Sequence, residues 1–319
     1  MTCGGSGVLT ARSTIAGVNA PLVARPGVGM VAPHRSAGRL LWAEARPVVQ
    51  VIFLVRFATA ATLTLYGGGQ LSARLATGAI AWLLLTLATY LVNGVGDVVE
   101  DRANGSSRPL ASGRLDPRLA LRAAQACTAV GLGLAAATSP GFLAAAVAMA
   151  VLGWAYSAGP APLKTTTAGT MLAVLGGGLL TYTAGWEAAR GPAFGELVVV
   201  AALMSAWMAV GGLCKDLGDT TGDRLTGRRT LAVRWGQDMA CRALAAVALA
   251  VGAAAVVAAM ALPLVAPAGL IMAGGAILVA LLALRSTRWP ERAEQRRAYR
   301  SYMLIQYAAH VAILLAWQG

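Results

Sequence analysis

Long apolar runs separated by short polar connections dominate the chain from about residue 48 to its end. A bilayer core of about 30 Å is crossed by roughly 20 apolar residues in a helix. Nine runs approach that length, and several are separated by turn-forming glycine and proline residues. The pattern predicts an all-α, polytopic membrane protein with nine transmembrane helices. These are expected near residues 48–66, 76–96, 119–137, 141–158, 167–186, 193–214, 240–261, 267–285 and 302–318.

The composition supports this class and narrows the function. Hydrophobic residues make up 57% of the chain and charged residues 12%, and the mean hydropathy is +0.65, which excludes an ordinary soluble domain. The formal net charge of +13 is explained more simply by membrane topology than by nucleic-acid binding, because basic residues concentrate near cytoplasmic helix ends in membrane proteins. We therefore expect the lipid bilayer, and no nucleic acid, as a partner. The four cysteines and two histidines have no metal-ligand or disulfide spacing.

The placement of basic residues predicts the topology. If the N-terminus is cytoplasmic, 23 of the 26 Lys and Arg residues lie before the first run or in cytoplasmic connections. Arg74 and Arg190 lie on the opposite side, and Arg56 lies within the first run. This split follows the positive-inside rule for nine helices. We expect a basic, disordered cytoplasmic tail over residues 1–45 and a multi-pass integral membrane domain over residues 46–319.

Two acidic stretches, at 93–102 and 215–224, end the second and sixth apolar runs on the predicted cytoplasmic side. Together they contain six of the 13 acidic residues in the chain. Residues three or four apart share a helix face, so each stretch is expected to form a column of polar side chains. The first column is Asn93, Asp97 and Asp101, and the second is Asp216, Asp219 and Asp223.

Carboxylates grouped at membrane-embedded helix ends need a counter-charge, because burying unpaired anions is costly. Mg²⁺ prefers hard oxygen ligands and binds through one or two carboxylates plus substrate phosphates. The two columns therefore predict a metal–diphosphate site rather than solvated loops. The predicted metal ligands are Asp97, Asp101, Asp216, Asp219 and Asp223. The predicted diphosphate contacts are Arg108, Lys164, Lys215 and Arg228, and Asn93 is expected to contribute an amide group.

These stretches resemble the two aspartate-rich motifs of the UbiA superfamily of intramembrane prenyltransferases. Members carry N-D-x-x-D-x-x-x-D after helix two and D-x-x-x-D after helix six. This chain reads N-G-V-G-D-V-V-E-D at 93–101 and D-T-T-G-D at 219–223. Tyr156 to Lys164 is similar to a Y-S-x-x-P-x-x-x-K element after helix four, whose lysine meets the diphosphate. Gly94 departs from the pattern, because members usually have aspartate there.

The resemblance extends over about residues 45–319 and implies a UbiA-like bundle with a central cavity. A prenyl diphosphate would bind with Mg²⁺ at Asp97, Asp101, Asp219 and Asp223, which would promote ionisation to an allylic cation. An acceptor, most often an aromatic ring in this family, would then attack the cation. Aromatic side chains are candidates for the cavity wall, although packing is the simpler interpretation of each. They are Tyr156, Tyr182, Trp186 and Trp207.

Two alternatives remain open from the sequence. A membrane terpene cyclase would use the same site without an acceptor, and the departure at Gly94 gives this reading some weight. A transporter for an acidic solute belongs to another class. Transporters place charged sites near the bilayer midplane. The acidic stretches here lie at the ends of apolar runs, which favours the enzyme.

Overall fold

The structure is a computed structural model that describes residues 36–193, 195–288 and 292–316. Regular structure in these ranges is helical, apart from an isolated bridge between Thr166 and Arg229. The α-helices are α1 (Ala37–Glu44), α2 (Pro47–Tyr66), α3 (Ala73–Gly96), α4 (Val98–Ala103), α5 (Pro117–Thr138), α6 (Pro140–Ser157), α7 (Thr167–Ala189), α8 (Gly195–Leu217), α9 (Thr220–Leu225), α10 (Leu231–Trp235), α11 (Gln237–Ala261), α12 (Ala266–Arg285), α13 (Arg292–Gln295) and α14 (Arg297–Ala316). Short 3-10 turns lie at Leu163–Thr165, Pro263–Val265 and Ser286–Arg288.

The long helices coincide with the predicted apolar runs. Among the described residues, nine helices have 18 or more residues, and each overlaps one of the nine predicted spans. Seven helical stretches are also apolar enough to cross a membrane, and α7 and α14 are not among them. Helix α7 is rich in glycine and threonine, whereas α14 carries Arg297, Arg300 and His310. The all-α prediction is confirmed, while the number of helices that cross the membrane stays a prediction.

Local sequence explains where several helices begin. Both α5 and α6 have proline at their first position, where the missing N–H costs nothing. The Asp116 side chain accepts a hydrogen bond from the backbone N–H of Arg118, and the Ser139 hydroxyl accepts one from that of Phe142. These side chains satisfy backbone donors that have no partner within the helix. The connection between α5 and α6 is therefore a sharp turn at Ser139.

Two apolar cores hold the long helices together. One contains Trp207 and Met272 and is formed mainly by α8, α11, α12 and α14. The other is formed by α2, α3, α6 and α7. In it the Phe142 ring lies edge-on against Trp82 and Phe57, with ring centroids 6.0 and 6.4 Å apart. Residues of both cores border the cavity described below.

Of the tail predicted over residues 1–45, positions 1–35 lie outside the described residues. Residues 37–44 of that range form α1. Leu40 and Leu41 of α1 pack against a small apolar cluster that contains Leu110 and Leu115. The boundary at residue 45 stays a prediction, but the described part of this range packs against the bundle.

Candidate functional site

The first acidic stretch contains a helix break. Helix α3 ends at Gly96, and Asp97 separates it from the six-residue helix α4. Asp97 has φ −105° and ψ 6°, outside the α-helical region. The backbone N–H of Asp101 still donates to the Asp97 carbonyl at 2.7 Å. A continuous helical column was expected here, and the structure instead shows two helical segments joined at Asp97.

The second acidic stretch repeats this arrangement. Helix α8 ends at Leu217, and Asp219 precedes the six-residue helix α9 with φ −114° and ψ 10°. The N–H of Asp223 donates to the Asp219 carbonyl at 3.0 Å. Each stretch is therefore a long helix, a break at an aspartate and a short helix. We call the end of the bundle that carries both breaks the aspartate end.

A close backbone contact joins the two short helices. The Asn104 side-chain oxygen accepts a hydrogen bond from the Gly222 N–H at 3.0 Å. A Cβ atom at position 222 would lie 2.4 Å from Asn104 Nδ2 and 2.7 Å from Glu100 Cγ. A larger residue at 222 would force the Asn104 and Glu100 side chains to shift. The glycine inside D-T-T-G-D holds the second stretch against the first.

Arg228 joins carboxylates of both stretches. Its Nη2 donates to Asp97 at 2.8 Å and contacts Glu100, and its Nη1 lies 3.6 Å from Asp223 Oδ1. The side chain is only 6% exposed. The guanidinium group presents several donors in one plane, so one arginine can serve several carboxylates.

Lysines supply further positive charge at the aspartate end. Lys164 Nζ lies 2.7 Å from Asp97 Oδ1, and Lys215 Nζ lies 4.0 Å from Asp219. The loop of Lys164 is tied to that of Arg228, because the Arg229 N–H donates to the Thr165 carbonyl at 2.7 Å. This link fixes both cations beside Asp97.

Arg108 is held by two acidic residues. Its Nη1 donates to Asp101 at 2.7 Å, and its Nη2 lies 2.6 Å from Glu44 Oε1. Glu44 is fully buried at the end of α1. Its other carboxylate oxygen accepts from the Leu110 N–H at 2.9 Å. Sequence reasoning missed Glu44, because no spacing pattern connects it to residues about 60 positions away.

Burial and charge act in opposite directions on the carboxylates. Burial alone would raise the pKa of Asp97, but the charges of Lys215, Lys164 and Arg228 hold it below its ordinary value. For Glu100, burial dominates and, with the negative charge of Asp97, raises the pKa to about 7. Burial likewise raises the pKa of Asp223. Within the site the pKa of Asp97 is therefore lowered, whereas those of Glu100 and Asp223 are raised.

Acidic side chains approach the site from both stretches. In the part of the chain that the structure describes, no three acidic, histidine or cysteine side chains converge into a ready-made metal cage. Mg²⁺ does not need one, because substrate phosphates and waters complete its shell. Asp216 Oδ2 and Asp223 Oδ1 are buried and lack hydrogen-bond partners. Such hard oxygens without hydrogen-bond partners, both in the second stretch, fit the chemistry of Mg²⁺.

A central cavity runs from the aspartate end into the bundle. Asn93 and Lys215 line it at this end, and Asn93 donates to the Ser157 hydroxyl at 3.3 Å. Most of the remaining lining is apolar or aromatic. The aromatic lining residues are Phe53, Tyr90, Tyr156, Tyr299 and Tyr302. A charged head group at the aspartates and an apolar tail along these walls match the polarity of the cavity.

The aromatic candidates from the sequence divide between cavity and core. Tyr156 lines the cavity, the less simple of the two interpretations of its position in the sequence. Tyr182 and Trp207 are buried in the apolar core, as the packing interpretation predicts. Trp186 packs against the same core and donates to the Gly191 carbonyl at 2.8 Å. The other aromatic lining residues have no distinctive sequence spacing.

Arg46 lies where the central cavity meets a second, outer pocket. The outer pocket contains Asp101, Asp219 and Arg108, with Arg300 on the side of α14. Arg46 lines both spaces. It has φ 57°, an uncommon backbone conformation for a residue other than glycine. This uncommon conformation therefore lies where the two spaces share a wall.

The sequence matches the UbiA prenyltransferase family over residues 54–308, most of the chain. The chain belongs to this family. Curated relatives include the digeranylgeranylglyceryl phosphate synthases of Methanopyrus kandleri and Methanoregula boonei. Each is 32% identical, over 50% and 54% of this chain respectively. The chain spans only 57% and 62% of the lengths of these two relatives.

Solved UbiA homologues share the fold. A homologue from Archaeoglobus fulgidus, bound to DMAPP and Mg²⁺, has a TM-score of 0.64 at 16% identity. The match covers 86% of this chain and 99% of that one. A homologue from Aeropyrum pernix has a TM-score of 0.61 at 19% identity, covering 84% and 98%. The UbiA-like fold predicted from the motifs is therefore confirmed, and the chain is a multi-pass membrane protein.

Family membership places the sequence-predicted residues in context. Direct ion pairs join Asp101 to Arg108, Asp97 to Lys164 and Arg228, and Asp223 to Arg228. Asp219 lies 4.0 Å from Lys215. Asn93, Tyr156 and Lys215 line the adjoining cavity, and Asp216 is buried at the end of α8. Their individual roles stay predictions.

Proposed function

We propose that this protein transfers a prenyl group from a prenyl diphosphate to an acceptor inside the membrane, with Mg²⁺ as cofactor. The observation that carries the proposal is the junction of two aspartate stretches, rich in paired cations, with an apolar cavity. The cavity suits an isoprenyl chain, and the charged junction suits its diphosphate. Solved structures of homologues bound to DMAPP or GPP with Mg²⁺ support the same substrate class.

The reaction begins with cleavage of the bond between C1 of the prenyl chain and oxygen. The electron pair leaves with the diphosphate, and the acceptor forms a bond to C1 and then loses a proton. Asp97, Asp101, Asp216, Asp219 and Asp223 would hold Mg²⁺, which when bound would supply positive charge to the leaving diphosphate.

The basic residues of the chain share this task. Arg108, Lys164, Lys215 and Arg228 would bind the phosphate oxygens that the metal leaves free. All four lie in the assembled site or line its cavity. The π faces of residues such as Tyr156 would stabilise the allylic cation.

The acceptor is proposed to be aromatic, following the commonest chemistry of the resembling family. The names of the curated relatives indicate a glyceryl phosphate acceptor for those proteins. Comparing one phenolic and one glyceryl phosphate acceptor decides between these classes. The aspartate end is proposed to face the cytoplasm, because basic residues concentrate there.

The test measures diphosphate release in nanodiscs from geranyl, farnesyl and geranylgeranyl diphosphate, with and without Mg²⁺ and with the phenolic or the glyceryl phosphate acceptor present. Asp97→Ala and Asp219→Ala should each abolish release. Asp238→Ala is the matched control, since Asp238 is an exposed carboxylate in the first turn of α11. Metal-independent release, or normal release by the two site variants, would contradict the proposal.

Analysis of the organic products separates the remaining candidates. Cyclised products formed without acceptor would identify a terpene cyclase. Prenyl diphosphates that neither bind nor react would favour the transporter interpretation. Prenylated acceptor, formed only when acceptor is added, is the expected result.

A further inference from the structure

A buried carboxylate from outside both aspartate stretches lies beside Gly94. A Cβ atom at position 94 would lie 2.3 Å from Glu44 Oε1 and 2.9 Å from Arg108 Nη2. Contacts this short do not occur, so the present arrangement requires glycine at 94. Glu44 is also the first acidic residue in the chain. It thus fills space next to the position where the resembling motif has an aspartate.

The contacts of Glu44 are those of a residue that orients an arginine. Its Oε1 lies 2.6 Å from Arg108 Nη2, and the same Nη2 donates to the Glu44 carbonyl at 3.1 Å. The Leu110 N–H holds the other carboxylate oxygen at 2.9 Å. The other terminal nitrogen of Arg108, Nη1, donates to Asp101 Oδ2 at 2.7 Å. The guanidinium is therefore fixed between one carboxylate of the first stretch and one of α1.

The position of Glu44 depends on the packing of α1. Leu40 and Leu41 contact the cluster containing Leu110 and Leu115. This packing brings the end of α1 to the segment that follows the first aspartate stretch. The Glu44 side chain has no exposed surface, so water does not compete for its contacts.

We propose that Glu44 is a positioning residue for the site. From α1 it supplies a carboxylate next to position 94, where the resembling motif has an aspartate and this chain has glycine. Glu44 holds Arg108 and, through it, Asp101 in the arrangement that receives the diphosphate. This inference rests on the proposed function. It also assigns α1, within the segment expected to be a tail, a direct part in building the site.

The experiment combines a neutral substitution with a transplanted carboxylate. Glu44→Gln keeps the shape of the side chain but removes its charge. It should raise KM for geranylgeranyl diphosphate at least about tenfold, the effect of losing the buried ion pair with Arg108. Glu187→Gln is the control, because Glu187 is a partly buried acid bonded to Ser139 and outside the site. It should leave KM unchanged.

The second arm tests whether the two positions are interchangeable. Gly94→Asp alone should impair the enzyme, because its Cβ overlaps the Glu44 carboxylate. The double variant Glu44→Ala with Gly94→Asp removes the overlap and returns a carboxylate to Arg108. We expect its kcat/KM to exceed that of either single variant by about tenfold or more, the scale of one charge-assisted contact.

Clear outcomes overturn the proposal. A normal KM in Glu44→Gln, or a double variant no better than the worse single one, would show that Glu44 only supports folding. If Glu44→Gln does not fold, Gly94→Ala displaces the same carboxylate without changing a charge, and an unchanged KM there is equally decisive. Absence of diphosphate release by the unmodified protein would instead refute the proposed function. A double variant more thermally stable than Glu44→Ala alone would then still show that a carboxylate at position 94 can take the place of Glu44 beside Arg108.

Discussion

Replacing Arg228 with glutamine should destabilise the aspartate end more than replacing a neighbouring arginine. Arg228 contacts Asp97, Glu100 and Asp223, and its side chain is only 6% exposed. Glutamine keeps a polar side chain but removes the positive charge. The negative charges of both stretches would then face each other with less compensation.

The contacts of Arg228 set the expected magnitude. Removing one partner of a buried ion pair costs about 3 to 5 kcal/mol. Asp97 keeps its contact with Lys164 at 2.7 Å, so we expect the lower end, about 3 kcal/mol. Glu100 bears the main loss. Its pKa, already raised to about 7 by burial, should rise further in the variant.

The assay is thermal unfolding in detergent, with and without Mg²⁺. Arg228→Gln should unfold at a lower temperature than the unmodified protein, and Mg²⁺ should restore part of the loss by supplying positive charge to the same carboxylates. Arg229→Gln is the matched control, because the Arg229 side chain is exposed and only its backbone links the loops.

Two results would refute the reasoning. Equal unfolding temperatures for Arg228→Gln and Arg229→Gln would show that the buried ion pairs contribute little. A Mg²⁺ response no larger in Arg228→Gln than in the unmodified protein would show that metal and arginine do not share carboxylates.

Three further predictions concern separate features. Gly222→Ala should lower kcat/KM, because its Cβ would lie 2.4 Å from Asn104 Nδ2. Adding Asn104→Ala should recover part of the loss. If the effects of the two substitutions on kcat/KM are simply additive, this explanation is contradicted. Tyr182→Phe should lower the free energy of unfolding by about 1 to 3 kcal/mol, because His310 Nε2 loses the Tyr182 hydroxyl 2.6 Å away. KM should not change, since Tyr182 lies in the apolar core. Measuring KM and the unfolding temperature together tests both expectations. Removing divalent metal with EDTA should stop diphosphate release and excess Mg²⁺ should restore it, so persistent release in EDTA would exclude the metal role.

The long helices could be predicted from the sequence because their apolar runs are nearly uninterrupted. Prediction was least secure where polar residues enter a helix, as in α14 with Arg300 and His310. The i to i+4 spacing has a counterpart in the backbone hydrogen bonds from Asp101 to Asp97 and from Asp223 to Asp219. It did not show the helix breaks, because an aspartate alone does not determine whether a helix continues.

Contacts between distant segments explain what the sequence did not reveal. Glu44 and Arg108 lie 64 positions apart, and Asn104 and Gly222 lie 118 apart. No periodicity connects residues so widely separated. The cavity wall is equally hidden, because Phe53 and Tyr302 resemble ordinary core residues until the helices are packed.

The ion pairs of Asp97 have a consequence for the order of events during turnover. Asp97 Oδ1 contacts both Lys164 and Arg228. A divalent cation arriving alone must displace these partners and leave them uncompensated, whereas a cation arriving with diphosphate offers each displaced side chain a phosphate oxygen. Metal and diphosphate should therefore strengthen each other's binding by the same factor, as thermodynamic linkage requires. The ion pairs of the resting site thus favour binding of the complete metal–diphosphate complex over binding of either component alone.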